Sequence, residues 1–176
     1  DDADGAVTYS IAFTDAAGNA GTAVTSGSGS VTIDNTHPTL NPVSIATNGD
    51  GDASNADTVS LTFTASEALI ANPTCTISDS GAAMANSVSV SKNGLAYTCA
   101  VVVADDDANG AITFSIAFTD AAGNVGTAVT STSDSTSVTI DNTHPTLDPV
   151  SIATNGDGDA SNADTVSLTF TASEAL

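Results

Sequence analysis

Acidic side chains are the groups in this sequence best placed to do chemistry, and they gather around turns. Asp1, Asp2 and Asp4 open the chain, Asp50, Asp52 and Asp57 surround an NGDGDASNAD turn, and Asp105, Asp106 and Asp107 stand together with Asn109 just beyond. Asp34, Glu67, Asp120, Asp141 and Glu174 occur singly, each at the end of an apolar stretch. Hard oxygen ligands on loops, without nitrogen or sulfur donors, suit Ca²⁺ rather than zinc or copper. NGDGD echoes the start of an EF-hand loop, but counting Asp50 as position one puts Leu61 where the twelfth-position Glu belongs, so that motif fails. Catalysis finds little support. The two histidines are confined to one repeated linker position, no thiol pairs with an imidazole, and the carboxylates recur from unit to unit instead of marking one cleft.

The elements that must carry these acids form a tandem array. Residues 31–69 return as residues 138–176 with one change, Asn41 to Asp148, at an offset of 107. Residues 9–26 are echoed by residues 114–131 at an offset of 105, with Phe114 for Tyr9 and Val125 for Ala20, and the two-residue difference falls in a Gly/Ser/Thr tract, as expected of a surface loop. The chain thus divides into residues 1–37, the C-terminal part of one unit, residues 38–144, a complete unit, and residues 145–176, the N-terminal part of a third. A unit of this length buries a core of its own.

Net charge is −20, from 21 acidic residues against a single Lys, and 40% of residues are hydrophobic. Nucleic acid needs Lys and Arg to displace counterions, so that class of partner is excluded, and anionic membrane surfaces are disfavoured for the same reason. No apolar run is long enough for direct membrane insertion by this segment. The apolar content is too high for a disordered acidic chain. Two readings of the charge stand side by side: neutralisation by divalent cations, and a solvated acidic face.

Period-two alternation fills the complete unit and helical periodicity is absent. Seven strands are expected. They carry Val43 and Ile45; Val59, Leu61 and Phe63; Cys75 and Ile77; Val88 and Val90; Leu95, Tyr97, Cys99, Val101 and Val103 as one inward face; Ile112, Phe114, Ile116 and Phe118; and Val138 and Ile140 after a Ser/Thr tract. Asn93–Gly94 is expected to form a two-residue hairpin turn with positive φ at both positions, with the exposed Lys92 beside it. The fold class is therefore all-β, tandem seven-stranded sandwiches of immunoglobulin-like topology. Cys75 and Cys99 share the inward parity of strands that lie in opposite sheets of such a topology. A disulfide across the core and a pair of buried thiols are both compatible, the disulfide adding about 3 kcal/mol. One cysteine pair in a Lys-poor, Thr/Ser-rich chain favours an extracellular setting.

In a sandwich, alternate loops share a pole. Asp50, Asp52, Asp57, Asp105, Asp106, Asp107, Asn109, Asp141 and Asn142 are expected at one pole, facing Glu174 of the next unit. Glu67, Asp120 and Asn124 are expected at the other, facing Asp1, Asp2, Asp4 and Asp34 of the preceding one. Asp120 with Asn124, and Asp34 with Asn35, could equally cap tight turns, and the two roles can coexist. His37 and His144 occupy the same linker position and read as packed or solvated side chains.

TIDNTHPTL, SLTFTASEAL and FSIAFTDAAGNVG resemble the bacterial immunoglobulin-like repeats of giant surface adhesins and related extracellular repeat proteins. The resemblance spans the chain, though a cysteine pair and the His before the linker proline depart from the family pattern. It implies calcium held at the junctions between neighbouring repeats. The expected role is structural: a long extracellular rod or filament stiffened by Ca²⁺, serving as an adhesin stalk or as the building unit of a surface appendage, with lateral self-association as a further partner mode. The alternative is a ligand-binding module that presents Thr62 and Thr64, or Thr113 and Ser115, to a glycan, ice or a protein, although outward Thr is also what strands prefer.

Overall fold

The computed structural model describes residues 2–49, 52–155 and 158–175. Among these the regular elements are all strands: β1 (Gly5–Ala6), β2 (Thr32–Ile33), β3 (Leu40–Thr47), β4 (Thr58–Ala65), β5 (Thr74–Asp79), β6 (Ala82–Ala83), β7 (Ser89–Asn93), β8 (Ala96–Val102), β9 (Gly110–Ala117), β10 (Thr139–Ile140), β11 (Leu147–Thr154) and β12 (Val166–Ala172). No helix long and apolar enough to cross a membrane occurs among the described residues.

Two four-stranded antiparallel sheets make up residues 38–144, one ordered β3-β4-β8-β7 and the other β10-β9-β5-β6. Alternation in the sequence becomes facing in the structure. On β4, Val59, Leu61, Phe63 and Ala65 point inward, and on β8, Tyr97, Cys99 and Val101 do the same. Ile77 of β5, Ile116 of β9 and Ile140 of β10 meet them from the other sheet in one continuous core. Each fully buried aliphatic or aromatic side chain of this kind contributes about 1.5–3 kcal/mol. Cys75 of β5 and Cys99 of β8 are joined in a disulfide that links the two sheets.

The chain's one Lys or Arg side chain is placed by the same alternation. Phe63 pairs with Tyr97 across β4 and β8, their rings stacked with centroids 5.7 Å apart. Lys92 pairs with Tyr97 from β7, and its Nζ lies 5.3 Å from the ring centroid. The ammonium of this exposed residue thus stands over the face of a buried ring at cation–π distance.

Three details depart from the sequence expectation. The hairpin turn is Gly94–Leu95, one residue later than expected: Asn93 still pairs with Ala96 in the ladder, and positive φ is found at Gly94 (63°) and not at Asn93. A glycine at the first turn position is what such a loop requires. Leu95 consequently sits in the turn, 39% exposed, and leaves the inward face to Tyr97, Cys99, Val101 and Val103. A short β6 pairs with β5 beyond the seven expected strands. The seventh strand shrinks to β10, because the Ser/Thr tract before it bonds sideways to β3. Ser133 Oγ accepts from Val43 N at 2.9 Å, Ser133 N donates to Val43 O at 2.8 Å, and Thr136 Oγ1 accepts from Ile45 N at 3.0 Å.

Residues 2–37 and 145–175 repeat parts of this arrangement, β1–β2 in the register of β9–β10 and β11–β12 in the register of β3–β4.

Candidate metal centre

Three carboxylates from three separate segments converge where residues 1–37 meet the complete unit. Asp34, Glu67 and Asp120 each offer one oxygen, and these oxygens all lie within 4.8 Å of one another. Asp120 is wholly buried, while Asp34 and Glu67 are half-buried.

Each is placed by strand ends. Glu67 follows β4, where Ser66 is fixed twice against the linker: its N donates to Thr39 O at 2.9 Å, and its Oγ accepts from Thr39 N at 3.0 Å. Asp120 follows β9 and opens the DAAGN turn. Its Oδ1 accepts from the amides of Gly123 (2.7 Å) and Asn124 (2.8 Å), and its Oδ2 from Asn124 Nδ2 (2.8 Å). The turn is tied back to the Glu67 segment, Ala121 N donating to Ala68 O at 3.0 Å and Ile70 N to Thr119 O at 3.1 Å. Asp34 follows β2, and its carbonyl accepts from Asn124 Nδ2 at 3.0 Å. One residue beyond Asn124, the Val125 carbonyl lies 2.7 Å from His37 Nδ1, which therefore carries the proton and donates. Adjacent residues of the turn thus grip both ends of the linker, and Pro38 is buried beside them.

The electrostatics are those of a site short of positive charge. Burial pushes the Glu67 carboxyl up, and the nearby charges of Asp34, Asp120 and Asp4 push it further the same way. Burial is also the largest single influence on Asp120 and acts upward, but the hydrogen bonds from Asn124 and from the Gly123 and Ala122 amides outweigh it and hold that carboxyl below its ordinary value. Asp4 is held low by the Thr36 hydroxyl and the Asn35 amide. Lys92, the chain's single Lys or Arg, is engaged at Tyr97, so no ammonium or guanidinium of this chain neutralises the group. Oxygens that share one Ca²⁺ at about 2.3–2.6 Å lie no more than roughly 5 Å apart. The donor set and its spacing therefore fit a hard cation of that size, with the Asp34 and Glu67 oxygens the freer ligands and Asp120 already committed in part to its own turn.

The remaining candidate residues do not gather in this way. Asp2 is exposed and engages the linker through its carbonyl, which accepts from Asn35 Nδ2 at 2.7 Å. Asp50, like Asp1, lies outside the described residues. Asp52 is exposed in the β3–β4 turn, and Asp57 stabilises that turn by accepting from Ser54 N at 2.8 Å. Asp105 is exposed and lines a cleft of about 340 Å³ with Ser54, Asp141 and His144. Asp107 is buried, with both oxygens occupied inside its own unit: Oδ1 accepts from Ala85 N at 2.8 Å and Oδ2 from Ala104 N at 2.7 Å. Asp141 Oδ1 accepts from Thr143 N at 2.9 Å and Asn109 Nδ2 at 3.2 Å. Glu174 Oε1 is shielded from solvent without a hydrogen-bond partner. Among the described residues, these acids form no second group of three.

Sequence reasoning passed over Asp79 and read His37 only as a packed or solvated side chain. Asp79, buried in β5, accepts from Ala108 N and helps Asp107 clamp the 104–108 loop. His37 proves to be a specific junction contact. The first had a signal, an acid at an inward position of a strand, whereas the second had none beyond the repeat of the linker. No protein-family model, no curated protein and no solved structure matches this chain.

Proposed function

We propose that this chain is a segment of a long extracellular rod or filament, built from tandem immunoglobulin-like sandwiches and stiffened by Ca²⁺ at the junctions between them. The observation that carries this reading is the convergence of Asp34, Glu67 and Asp120 at the boundary between two repeats, with no cationic side chain to balance them. An ion there would tie the end of one unit to two loops of the next and restrict bending at the linker. The disulfide between Cys75 and Cys99 supports an oxidising, extracellular setting. Near identity of the repeated segments supports a uniform spacer, used as an adhesin stalk or as the unit of a surface appendage.

Small-angle X-ray scattering on the chain, with Ca²⁺ and then with chelator, tests the reading. A rod that loses stiffness on chelation supports it. An identical profile in both buffers overturns the calcium bridge and leaves the acids as solvated surface. Side-by-side growth into thicker particles with Ca²⁺ selects the appendage over the stalk.

A further inference from the structure

The flanks of the complete unit are built differently from its poles. On the outward side of the β3-β4-β8-β7 sheet the residues between the core positions are small, and hydroxyls line up across all four strands. Ser44 pairs with Thr62, Thr62 with Thr98, and Thr98 with Ser91. Although the chain has 21 acidic residues, no residue of β3, β4, β7 or β8 on that face carries a charge.

At one end of this neutral face, the segment that leads into β7 encloses a cleft of about 590 Å³ against β4 and β8, lined by Thr58, Asn86, Ser87, Ser89, Ala100 and Val102. A volume of that order holds a small-molecule ligand. Two of the side chains are fixed before anything binds. Asn86 Nδ2 donates to Val102 O at 2.9 Å, and Ser89 Oγ donates to Ala100 O at 3.1 Å. Ser89 Oγ is thereby left as an acceptor, while Asn86 keeps a second N–H and its amide oxygen. The hydroxyls of Thr58 and Ser87 both give and take hydrogen bonds. Val102, 44% exposed, and Ala100 supply apolar surface between these polar groups.

The same lining narrows the class of ligand. A metal ion would need carboxylates and an anion would need Lys or Arg, and the cleft has neither. Acidic ligands are further repelled by the net charge of −20. A peptide that added as a further strand would need the edge carbonyls of β8, and those of Ala100 and Val102 are already engaged. A neutral molecule that gives and accepts hydrogen bonds, with C–H surface between its polar groups, meets every condition. That is the chemistry of a sugar.

We propose that this cleft binds a neutral saccharide, with Thr58, Asn86, Ser87 and Ser89 pairing its hydroxyls and Ala100 and Val102 meeting its C–H face. The uncharged rows beside the cleft let a longer glycan continue across the sheet. Because Asn86 and Ser89 are already held, little side-chain freedom is lost on binding. No aromatic ring lines the cleft, so the affinity is weak, on the order of 1 mM. Residues 86–102 have no counterpart in residues 1–37 or 145–176, so this chain carries one such cleft. Thr58 opens β4 and Glu67 follows its far end, so the cleft is separate from the carboxylate group and does not rest on the calcium reading.

Proton–nitrogen correlation NMR on the whole chain, in chelator, tests the proposal. The probes are neutral trisaccharides of glucose, galactose, mannose or N-acetylglucosamine, with sialyllactose as the acidic comparison. At least one neutral trisaccharide should saturably shift the amides of residues 58, 86–89 and 100–102, with one site per chain, and sialyllactose should not. Asn86→Ala and Val102→Asp should each weaken that binding by about tenfold. Thr113→Asp, on the outer face of the other sheet, should leave it unchanged. Val102 is exposed, so its variant keeps the fold even where loss of the Asn86 amide loosens its loop. Titrations without saturable shifts at these residues overturn the proposal. So do shifts centred elsewhere, tighter binding of sialyllactose, or full affinity in Val102→Asp.

Discussion

The side-chain amide of Asn124 donates to the backbone carbonyl of Asp34 at 3.0 Å, and the same nitrogen reaches Asp120 Oδ2 at 2.8 Å. One amide thus holds a linker from one repeat against an acid of the next. Asn124→Ala should lower stability by about 1 kcal/mol, the worth of a typical hydrogen bond. It should also loosen the junction with the core intact. Urea unfolding together with amide exchange at residues 34–37 checks this, and exchange unchanged at the linker would refute it.

Glu67 should change the sign of its effect with the ion. Its folded carboxyl titrates above the ordinary value through burial and the charges of Asp34, Asp120 and Asp4. A raised carboxyl binds its proton more tightly when folded. In chelator, Glu67 therefore opposes folding at neutral pH, and that opposition fades as pH falls through its raised value toward the ordinary one. Asp120 and Asp4, both held low, work the other way: their stabilisation is present at neutral pH and is lost as pH falls through their lowered values. Glu67→Gln should accordingly raise the melting temperature in chelator and lower it in Ca²⁺, with Ca²⁺ affinity reduced on the order of tenfold or more. Calorimetry in the two buffers decides, and a shift of the same sign in both would rule out ligation by Glu67.

Asp107 should behave as a structural acid. Its two oxygens accept from the amides of Ala85 and Ala104, and removing them leaves two part-buried backbone donors without these partners. Asp107→Ala is expected to cost about 2 kcal/mol or more, while Asp105→Ala, at an exposed position, changes stability by less than about 0.5 kcal/mol. Equal effects in denaturant titrations would contradict this assignment.

Gly126 lies under the ring of Phe118, where an added Cβ would stand 2.1 Å from Cε2. Because Phe118 is buried, the ring has little freedom to retreat. Gly126→Ala should destabilise by about 1–3 kcal/mol through overpacking, and Phe118→Leu should recover part of that loss. A neutral Gly126→Ala in thermal unfolding would show the ring to be mobile.

Reduction of the Cys75–Cys99 bond removes a constraint on a loop of 24 residues. The expected loss is about 3 kcal/mol, read as a lower urea midpoint with little change in β-sheet signal. A midpoint unmoved by reductant would mean that the bond adds no net stability.

What sequence made legible was whatever alternation controls. The inward faces of β4, β8 and β9, and the meeting of Cys75 with Cys99, follow from parity once the strands are placed. The approach of Asp34 to Glu67 and Asp120 follows from knowing which loops share a pole. Alternation does not control turns or side-chain bonding to backbone. Gly94–Leu95 replaced Asn93–Gly94 because the ladder ran one pair further, and the Ser/Thr tract left the sheet because Ser133 and Thr136 could bond to β3 directly. Asp107 looked like its neighbours Asp105 and Asp106, and only burial distinguishes it from them.

The bond between β5 and β8 also bears on how such a chain would respond to pulling. Force applied along the chain enters residues 38–144 at their two linkers and, if it unravels the sheets, stops at Cys75 and Cys99. The 24-residue segment they close cannot lengthen, which withholds roughly 80 Å of contour when this unit yields. The oxidised unit is thus a spring with a built-in stop.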